Sequence, residues 1–442
     1  MKRNFLFLAM LFCAAGAGAQ NYEFSPLSRF GLGDLQRLRS PFSLHMGGAG
    51  VAYTHTDEFN FSNPASLGFL KITDAELGFY ARYNELSDPG DNTATDWSGN
   101  MNYIQLGIPL FNSINQALER KEVKHPMGIS LGLSPYSNTG YRYVVQDSSD
   151  LGGRTIREQE GQGGLSKFIL GYGYRHGNFG MGISASYIFG SVQYSQSYRF
   201  PDLPGSAGDY SQDRFHGDGF ELGLGFIYSH RVNKKSMAKD KSIKAQTLNF
   251  GFNLILPSQL NFSRDFLQYS RLNVAGGVVD TIRYEQDSRS TASTPLKITI
   301  GVSYNHKDKR VWMADLSYES WGSAKLHDSG KGSLADFIRI QAGGMWKPSP
   351  TGYARLFNRS QYRYGIFYEN GYIKSGGNAL MGYGLTAGMA LPFTFQRQLA
   401  VINLGIEAGI TGISELVSSR YIRINAGVRL NDNEWFLKRR YN

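Results

Sequence analysis

Hydrophobic and polar residues alternate one by one along most of this chain. The stretch 421–430 is the clearest case, and its apolar residues are Ile422, Ile424, Ala426, Val428 and Leu430. An alternation of period two predicts a β-strand with one apolar and one polar face. A tilted strand of about ten residues can cross a bilayer. The pattern therefore favours a barrel that spans a membrane.

Alternating segments of this kind follow one another from residue 74 to residue 430. They number about fourteen, an even number, as single-chain bacterial barrels require. Long polar segments at 136–164, 190–216, 257–294 and 321–335 predict external loops, and shorter connections between them predict periplasmic turns. The predicted fold is an all-β, antiparallel transmembrane β-barrel of about 14 strands with an N-terminal plug.

The N-terminus has the features of a secretory signal peptide over residues 1–19. Lys2 and Arg3 precede an apolar run, and Ala17 to Ala19 form a small-residue cleavage site. The lone cysteine, Cys13, lies in this segment, so the mature chain has no thiol chemistry. Residues 20–70 do not alternate and are rich in small residues, which predicts a hatch inside the lumen. Residues 71–442 are then the barrel.

Bulk composition agrees with a barrel and opposes other classes. No run of about 18 apolar residues follows the signal, so no membrane-spanning helix is predicted. The 53 glycines, 27 tyrosines and 28 phenylalanines suit curved sheets and aromatic girdles. The net charge is +10, or +8 without Lys2 and Arg3 (10 − 2). Nucleic acid is a poor explanation for that charge in an exported chain.

The predicted hatch holds a short motif, which consists of Gly47, Gly48, Gly50, Asn63, Pro64 and Ala65, with Asp57 between. This motif resembles the FadL family of outer-membrane transporters for fatty acids and hydrocarbons. Segments 25–34, 134–136 and 435–440 are similar to a poorly characterised FadL-like branch. The resemblance implies a fourteen-stranded barrel with an N-terminal hatch, and an apolar ligand that passes through the wall or past the hatch.

Nothing in the sequence predicts an enzyme, a cofactor or a metal site. The eight histidines are scattered between hatch, turns and loops, and none falls on a predicted lumen face beside a serine or an acid. The same scatter opposes a zinc site. The glycines at 47–50 lack the strand and helix that a phosphate-binding loop requires.

Charged residues on the predicted lumen face are the informative polar positions. They are Glu76, Arg82, Lys167, Glu221, Lys297, Asp315, Glu319, Arg339, Arg363, Glu407, Arg423 and Arg429. We expect them to pair with one another and with the hatch. A second hypothesis is that Lys297, Arg339 and Arg423 hold the carboxylate of a ligand, because guanidinium groups bind carboxylates in a bidentate manner.

The external loops carry many aromatic residues. Phe262, Phe266, Leu267 and Tyr269 are candidates for an apolar surface on which lipid-like ligands land. They could equally stiffen a loop or cap a girdle.

These observations predict a monomeric protein of the Gram-negative outer membrane. The function that the resemblance implies is passive uptake of hydrophobic small molecules such as long-chain fatty acids, with membrane lipid and that ligand as partners. Two alternatives stay open, namely a PorV-like barrel that acts as a protein-interaction component of type IX secretion, and a general porin. A porin would leave an open lumen, whereas a secretion barrel would require a partner chain.

Overall fold

The computed structural model describes thirteen stretches of the chain. They are residues 25–37, 39–90, 92–120, 123–149, 153–203, 205–240, 244–272, 279–324, 333–349, 355–375, 378–395, 398–413 and 417–432. The predicted signal peptide 1–19, the segment 435–440 and most of the predicted loop 321–335 lie outside them.

Antiparallel strands make up most of the described chain. They are β1 (Asp34–Leu35), β2 (Thr73–Ser87), β3 (Thr93–Pro109), β4 (Met127–Ser149), β5 (Gly153–His176), β6 (Phe179–Arg199), β7 (Ala207–Arg231), β8 (Gln246–Ile255), β9 (Ser258–Leu272), β10 (Val279–Thr294), β11 (Lys297–His306), β12 (Arg310–Glu319), β13 (Ser333–Leu334), β14 (Phe337–Trp346), β15 (Gln361–Ser375), β16 (Asn378–Phe395), β17 (Gln398–Ile413) and β18 (Val417–Asp432). Short helical turns occupy Pro26–Arg29, Pro41–Leu44, Pro64–Phe69, Ser113–Leu118, Lys234–Lys239, Trp321–Ser323 and Leu356–Arg359.

Fourteen of these strands close into a barrel. The sheet has eighteen strands, and β1, β9, β10 and β13 lie outside the closed ring (18 − 4 = 14). The ring closes where β18 pairs with β2, and it bypasses the β9–β10 hairpin because β8 pairs directly with β11. The predicted fold class and strand number are confirmed.

The alternation divides each barrel strand between lipid and lumen. On β17, Leu404 is 39% exposed whereas Asn403 is 1% exposed. Apolar residues cover the outer face, as in membrane barrels, and the predicted lumen-facing charges Glu76, Asp315 and Arg363 are all buried. None of the helices in the described part of the chain is long and apolar enough to cross a membrane.

The prediction of external loops is wrong for three of the four segments, because these segments form β-hairpins. Most of 136–164 belongs to β4 and β5, most of 190–216 belongs to β6 and β7, and 258–294 holds the β9–β10 hairpin. The upper half of β7 pairs with β9. Beyond the bilayer the outward face of a sheet meets water instead of lipid, so polar residues can occupy both faces and the apolar and polar alternation that marks a membrane strand is lost.

The lumen is filled by the chain's own residues 39–70, here called the interior segment. Its backbone approaches inward-facing glycines of the wall so closely that a side chain would not fit. A Cβ on Gly365 would lie 2.2 Å from the Gly47 nitrogen, and a Cβ on Gly251 would lie 2.4 Å from the Val51 oxygen. Glycine at these wall positions therefore allows the two backbones to meet.

Candidate functional site at the outer end of the barrel

The barrel wall has a gap in its hydrogen bonding between β3 and β4. These strands pair only from Ile104 opposite Leu133 down to Pro109 opposite Gly128. Above that point β3 continues to Thr93 with β2 as its partner, while β4 continues with β5. We call this place the β3–β4 seam.

The seam lies in the part of the wall that faces the outer half of the bilayer. On its β3 side, Trp97 is 59% exposed and pairs with Tyr83, whose ring centroid lies 5.2 Å away. Exposed aromatic residues mark the interfacial girdle of a membrane barrel. The unpaired part of β3 therefore extends from the membrane interior to the outer girdle.

Residues 25–37, here called the N-terminal strap, occupy the free edge of β4. Strand β1 pairs Asp34 with Asn138 and Leu35 with Ser137. The Gln36 amide donates to the Tyr136 carbonyl at 2.9 Å, and the Ser25 amide donates to Gly140 at 2.7 Å. Backbone groups on a strand edge need hydrogen-bond partners, so the strap supplies bonds that β3 does not make.

The strap continues across the barrel mouth to the opposite wall. The Tyr372 hydroxyl of β15 donates to the Gly33 carbonyl. The Arg37 guanidinium lies 3.6 Å from the ring centroid of Phe337 and forms ion pairs of 3.5 Å with both Glu319 and Glu369. The strap thus connects β4 to β12, β14 and β15 at the external end.

Below the strap, wall side chains bind the backbone of the interior segment. The Asp315 carboxylate accepts hydrogen bonds from the amides of Gly50 at 2.6 Å and Val51 at 2.8 Å. The Thr386 hydroxyl accepts from the Gly47 amide at 2.8 Å, and Arg339 donates to the Gly47 carbonyl at 2.9 Å. These bonds fix the glycine-rich turn of the hatch motif against three strands.

A buried ion triad anchors the middle of the interior segment. Glu58 lies 3.2 Å from Arg363 and 2.6 Å from Arg429, and the three side chains are at most 4% exposed. Tyr53 also donates to Glu58 at 3.3 Å. Buried charges require such partners because their desolvation is costly. The lumen-facing charges thus pair with the interior segment, as the sequence predicted.

Asn63 fastens the remainder of the hatch motif to β7 and β8. Its side chain accepts from the Ala65 amide at 3.1 Å and caps the turn Pro64–Phe69. The amide group donates to Val51 at 2.8 Å and to the carbonyls of Phe226 and Phe252 at 3.2 Å each. Asn63 therefore lies far from β2, on the other side of the barrel.

The three candidate carboxylate ligands do not meet in one cavity. Lys297 lines a lumen cavity of about 160 Å³, Arg423 lines another of about 110 Å³, and Arg339 lines both. Lys297 binds Glu221 at 2.9 Å, and Arg339 pairs with Glu369. Among the described residues Arg423 forms no ion pair within 4 Å; it donates to Asn102 at 3.1 Å.

The four residues of the candidate landing surface all lie on β9, on two different faces. Phe262 and Phe266 share one face, and Phe262 is buried with Tyr136 and neighbouring apolar residues beneath the strap. Leu267 and Tyr269 lie on the other face, where the Tyr269 ring stacks 5.2 Å from Tyr210. The hairpin thus places the four side chains in two separate environments.

Sequence reasoning missed the strap–β4 pairing and the role of Glu58. Segments 25–34 and 134–136 were singled out only by resemblance, and no local pattern indicates that they touch. Among the described residues, no group of three or more His, Cys, Asp or Glu side chains could hold a metal ion.

The fold and its plugged lumen define a fourteen-stranded barrel of the FadL type, which confirms the expected resemblance. The Ralstonia pickettii toluene transporter TbuX has a similar structure, with a TM-score of 0.55, 14% identity, and coverage of 90% of this chain and 99% of that one. The Pseudomonas putida toluene transporter TodX is similar with a TM-score of 0.55, 15% identity, and coverage of 90% of this chain and 100% of that one. A Pseudomonas aeruginosa FadL homologue is similar with a TM-score of 0.56, 11% identity, and coverage of 90% of this chain and 99% of that one.

A narrower assignment comes from the sequence. The BamG family model matches residues 1–442, so the chain belongs to the BamG family. No curated protein matches the chain.

Proposed function

We propose that this barrel takes up small hydrophobic molecules across the outer membrane, and that they enter its wall at the β3–β4 seam. The observation that carries this proposal is the loss of β3–β4 pairing above Ile104, with the strap as the element that covers the gap. A wall opening at membrane depth would give apolar molecules a route that avoids water. The similar barrels TbuX and TodX are described as toluene transporters, which supports the proposed ligand class.

The described conformation is a closed state of such a transporter. Its lumen cavities, of about 160 and 110 Å³, are smaller than the roughly 300–1,000 Å³ of typical ligand pockets. A ligand would therefore enter only after the strap leaves the edge of β4. The strap makes few contacts with β4 compared with a full strand, since β1 has only two residues.

A finer proposal is that the ligand carries a carboxylate, as a long-chain fatty acid does. Arg423 is the best placed of the three candidates because it makes no ion pair within 4 Å to a described carboxylate, although Glu407 lies opposite it on β17. It also lines a cavity together with strap residues Gly33 and Asp34. Lys297 and Arg339 are already bound to Glu221 and Glu369. They would have to exchange partners to bind a ligand.

Uptake assays in a transporter-deficient host test both levels of this proposal. Cells that express the protein should accumulate labelled toluene and labelled long-chain fatty acid faster than cells with an empty vector. Arg423→Gln should lower uptake of the fatty acid but not of toluene, with surface level and heat-modifiable mobility unchanged. Absence of uptake of either compound by the wild-type protein would contradict the transport function.

A second candidate function, a protein-interaction barrel, is favoured by the sheet that projects beyond the membrane. The outer parts of β4 to β7 continue with β9 and β10 into one such sheet. Because Ile255 pairs directly with Lys297, residues 256–296 can be replaced by a two-residue turn without opening the ring. The protein-interaction function would be favoured by two results together. A partner protein should co-purify with the wild type in stoichiometric amount but not with this variant, and the wild type should take up no toluene.

A further inference from the structure

A basic cavity opens at the end of the barrel opposite the strap. It has a volume of about 640 Å³ and lies between the interior segment at His55 to Asp57 and the turns that connect the barrel strands at this end. Short turns mark the periplasmic side of membrane barrels. We call this cavity the periplasmic vestibule.

Cations greatly outnumber carboxylates in the vestibule. Apart from Arg429, which is paired with Glu58, its cations are Lys71, Arg175, Arg231, Lys244, Lys347 and Arg359. Its carboxylates are Asp57 and Asp308, so the formal charge is +4 (6 − 2). Five of these cations, all except Arg359, form no ion pair within 4 Å to any residue that the structure describes.

The cations converge on one concave space from separate elements. Arg175 is the penultimate residue of β5, Arg231 ends β7, Lys347 follows β14, and Lys244 belongs to the connection before β8. Arg175 shares the inward face of its strand with Gly173, where a Cβ would lie 2.4 Å from the Pro64 oxygen. Arg175 thus points toward the barrel axis and not toward the lipid around the barrel, and the other cations line the same cavity.

The carboxylates Asp57 and Asp308 favour the charged form of Lys347, but they do not outweigh its burial and its cationic neighbours. Burial, followed by the neighbouring Lys244, lowers the pKa of Lys347 below its ordinary value. The Arg175 guanidinium lies 4.8 Å from the ring centroid of Phe69, which fixes its position. Converging like charges in a cleft create a strong local field that attracts an ion of opposite sign.

We propose that the periplasmic vestibule binds a compact, multivalent, phosphate-bearing anion. Arginine forks and lysine ammonium groups together suit phosphate oxygens. Thr54, Ser229, Thr247 and Asn305 also line the cavity and offer neutral hydrogen-bonding groups. Cations arranged around one space match a compact ion better than an extended acidic peptide, whose charges lie along a line.

The test is titration of the full-length protein, in phosphatidylcholine nanodiscs at about 0.1 M salt, where the Debye length is about 10 Å, with inorganic tripolyphosphate by calorimetry. The wild-type protein should show saturable binding that weakens with added salt. The double variant Lys244→Gln/Lys347→Gln should bind at least about tenfold more weakly, because it loses two charge-assisted contacts. The matched control Lys235→Gln/Lys309→Gln, with the same loss of charge outside the cavity, should stay within about twofold of the wild type.

Two results would overturn the proposal: no saturable binding by the wild type, or equal weakening in both double variants. Binding of a hexaglutamate peptide without binding of tripolyphosphate would also overturn it, in favour of an acidic peptide. Nanodiscs that contain phosphatidylglycerol identify the source of the phosphate. If phosphatidylglycerol competes with tripolyphosphate in the wild type, but not in the Lys244→Gln/Lys347→Gln variant, the natural ligand is a lipid headgroup. If it does not compete, the natural ligand is a free anion.

Discussion

Arg82 on β2 and Arg423 on β18 lie directly opposite each other, and each guanidinium covers a tyrosine ring of the other's strand. Arg82 lies 4.0 Å from the ring centroid of Tyr421, and Arg423 lies 3.8 Å from that of Tyr80. Directly opposed like charges destabilise a sheet, whereas an aromatic face attracts a cation. The reciprocal stacking therefore makes this pair compatible with the closing strands of the barrel.

Loss of one of these rings should weaken the closure. Tyr80 is 5% exposed, and Tyr80→Leu should lower the free energy of unfolding by about 1–3 kcal/mol, through the lost cation–π contact and the lost packing. The control Tyr383→Leu changes a ring that is 54% exposed and should have a smaller effect. Urea titration of the protein refolded into vesicles, followed by tryptophan fluorescence, measures both. Equal losses would contradict the stacking account.

Glu58 should be the most sensitive single position of the interior segment. Glu58→Gln leaves Arg363 and Arg429 buried without a carboxylate between them. Removing one partner of a buried ion pair costs about 3–5 kcal/mol. Asp280→Asn, on the exposed part of β10, serves as the control and should leave the urea midpoint unchanged. A stable Glu58→Gln variant with wild-type midpoint would show that the triad is not an anchor.

A charged residue on the lipid-facing surface should lower the free energy of unfolding by an amount that depends on its depth in the bilayer. Leu404→Arg should cost about 2–4 kcal/mol, because it places a guanidinium near the bilayer midplane. Tyr368, which is 48% exposed, pairs with Tyr383 in the outer girdle, and Tyr368→Arg should cost only about 0–1 kcal/mol. The same vesicle-based urea titration compares them, and a reversed order would mean that the membrane boundaries are misplaced.

Deletion of residues 25–66 should convert the barrel into an open pore. This variant removes the strap and nearly all of the interior segment, while the ring pairing between β18 and β2 is kept. Single-channel conductance in planar bilayers should rise strongly over that of the wild type. An unchanged conductance in a correctly folded barrel would show that these residues do not block the lumen.

Period-two alternation predicted the barrel because lipid and lumen impose opposite demands on neighbouring residues. Ile424 and Arg423 are assigned to different faces by chemistry alone, and the structure agrees. The same logic failed for 136–164, where Glu160 and Gln162 are exposed on one face of β5 and the polar Gln159 lies half-buried on the other face. Without an apolar face, a polar strand cannot be distinguished from a polar loop.

The contacts of the strap and the interior segment could not be predicted because they are non-local. Leu35 and Ser137 are partners at the edge of β4, yet neither residue type indicates pairing. The sequence pointed to Asp57 through resemblance, whereas its neighbour Glu58 holds the two buried arginines. Only the path of the chain through the lumen decides which of two adjacent acids faces them.

The central claim is that the strap must leave β4 before a hydrophobic molecule can enter at the seam. Leu35 and Ser137 are Cα partners, and such partners lie about 4.5–5.5 Å apart, within reach of a disulfide. Cysteine at both positions would lock the strap, and each single variant serves as a control. We predict that uptake of labelled toluene falls to the background of the host under oxidising conditions and returns with reductant. Transport at the wild-type rate by the fully oxidised double variant would contradict the account.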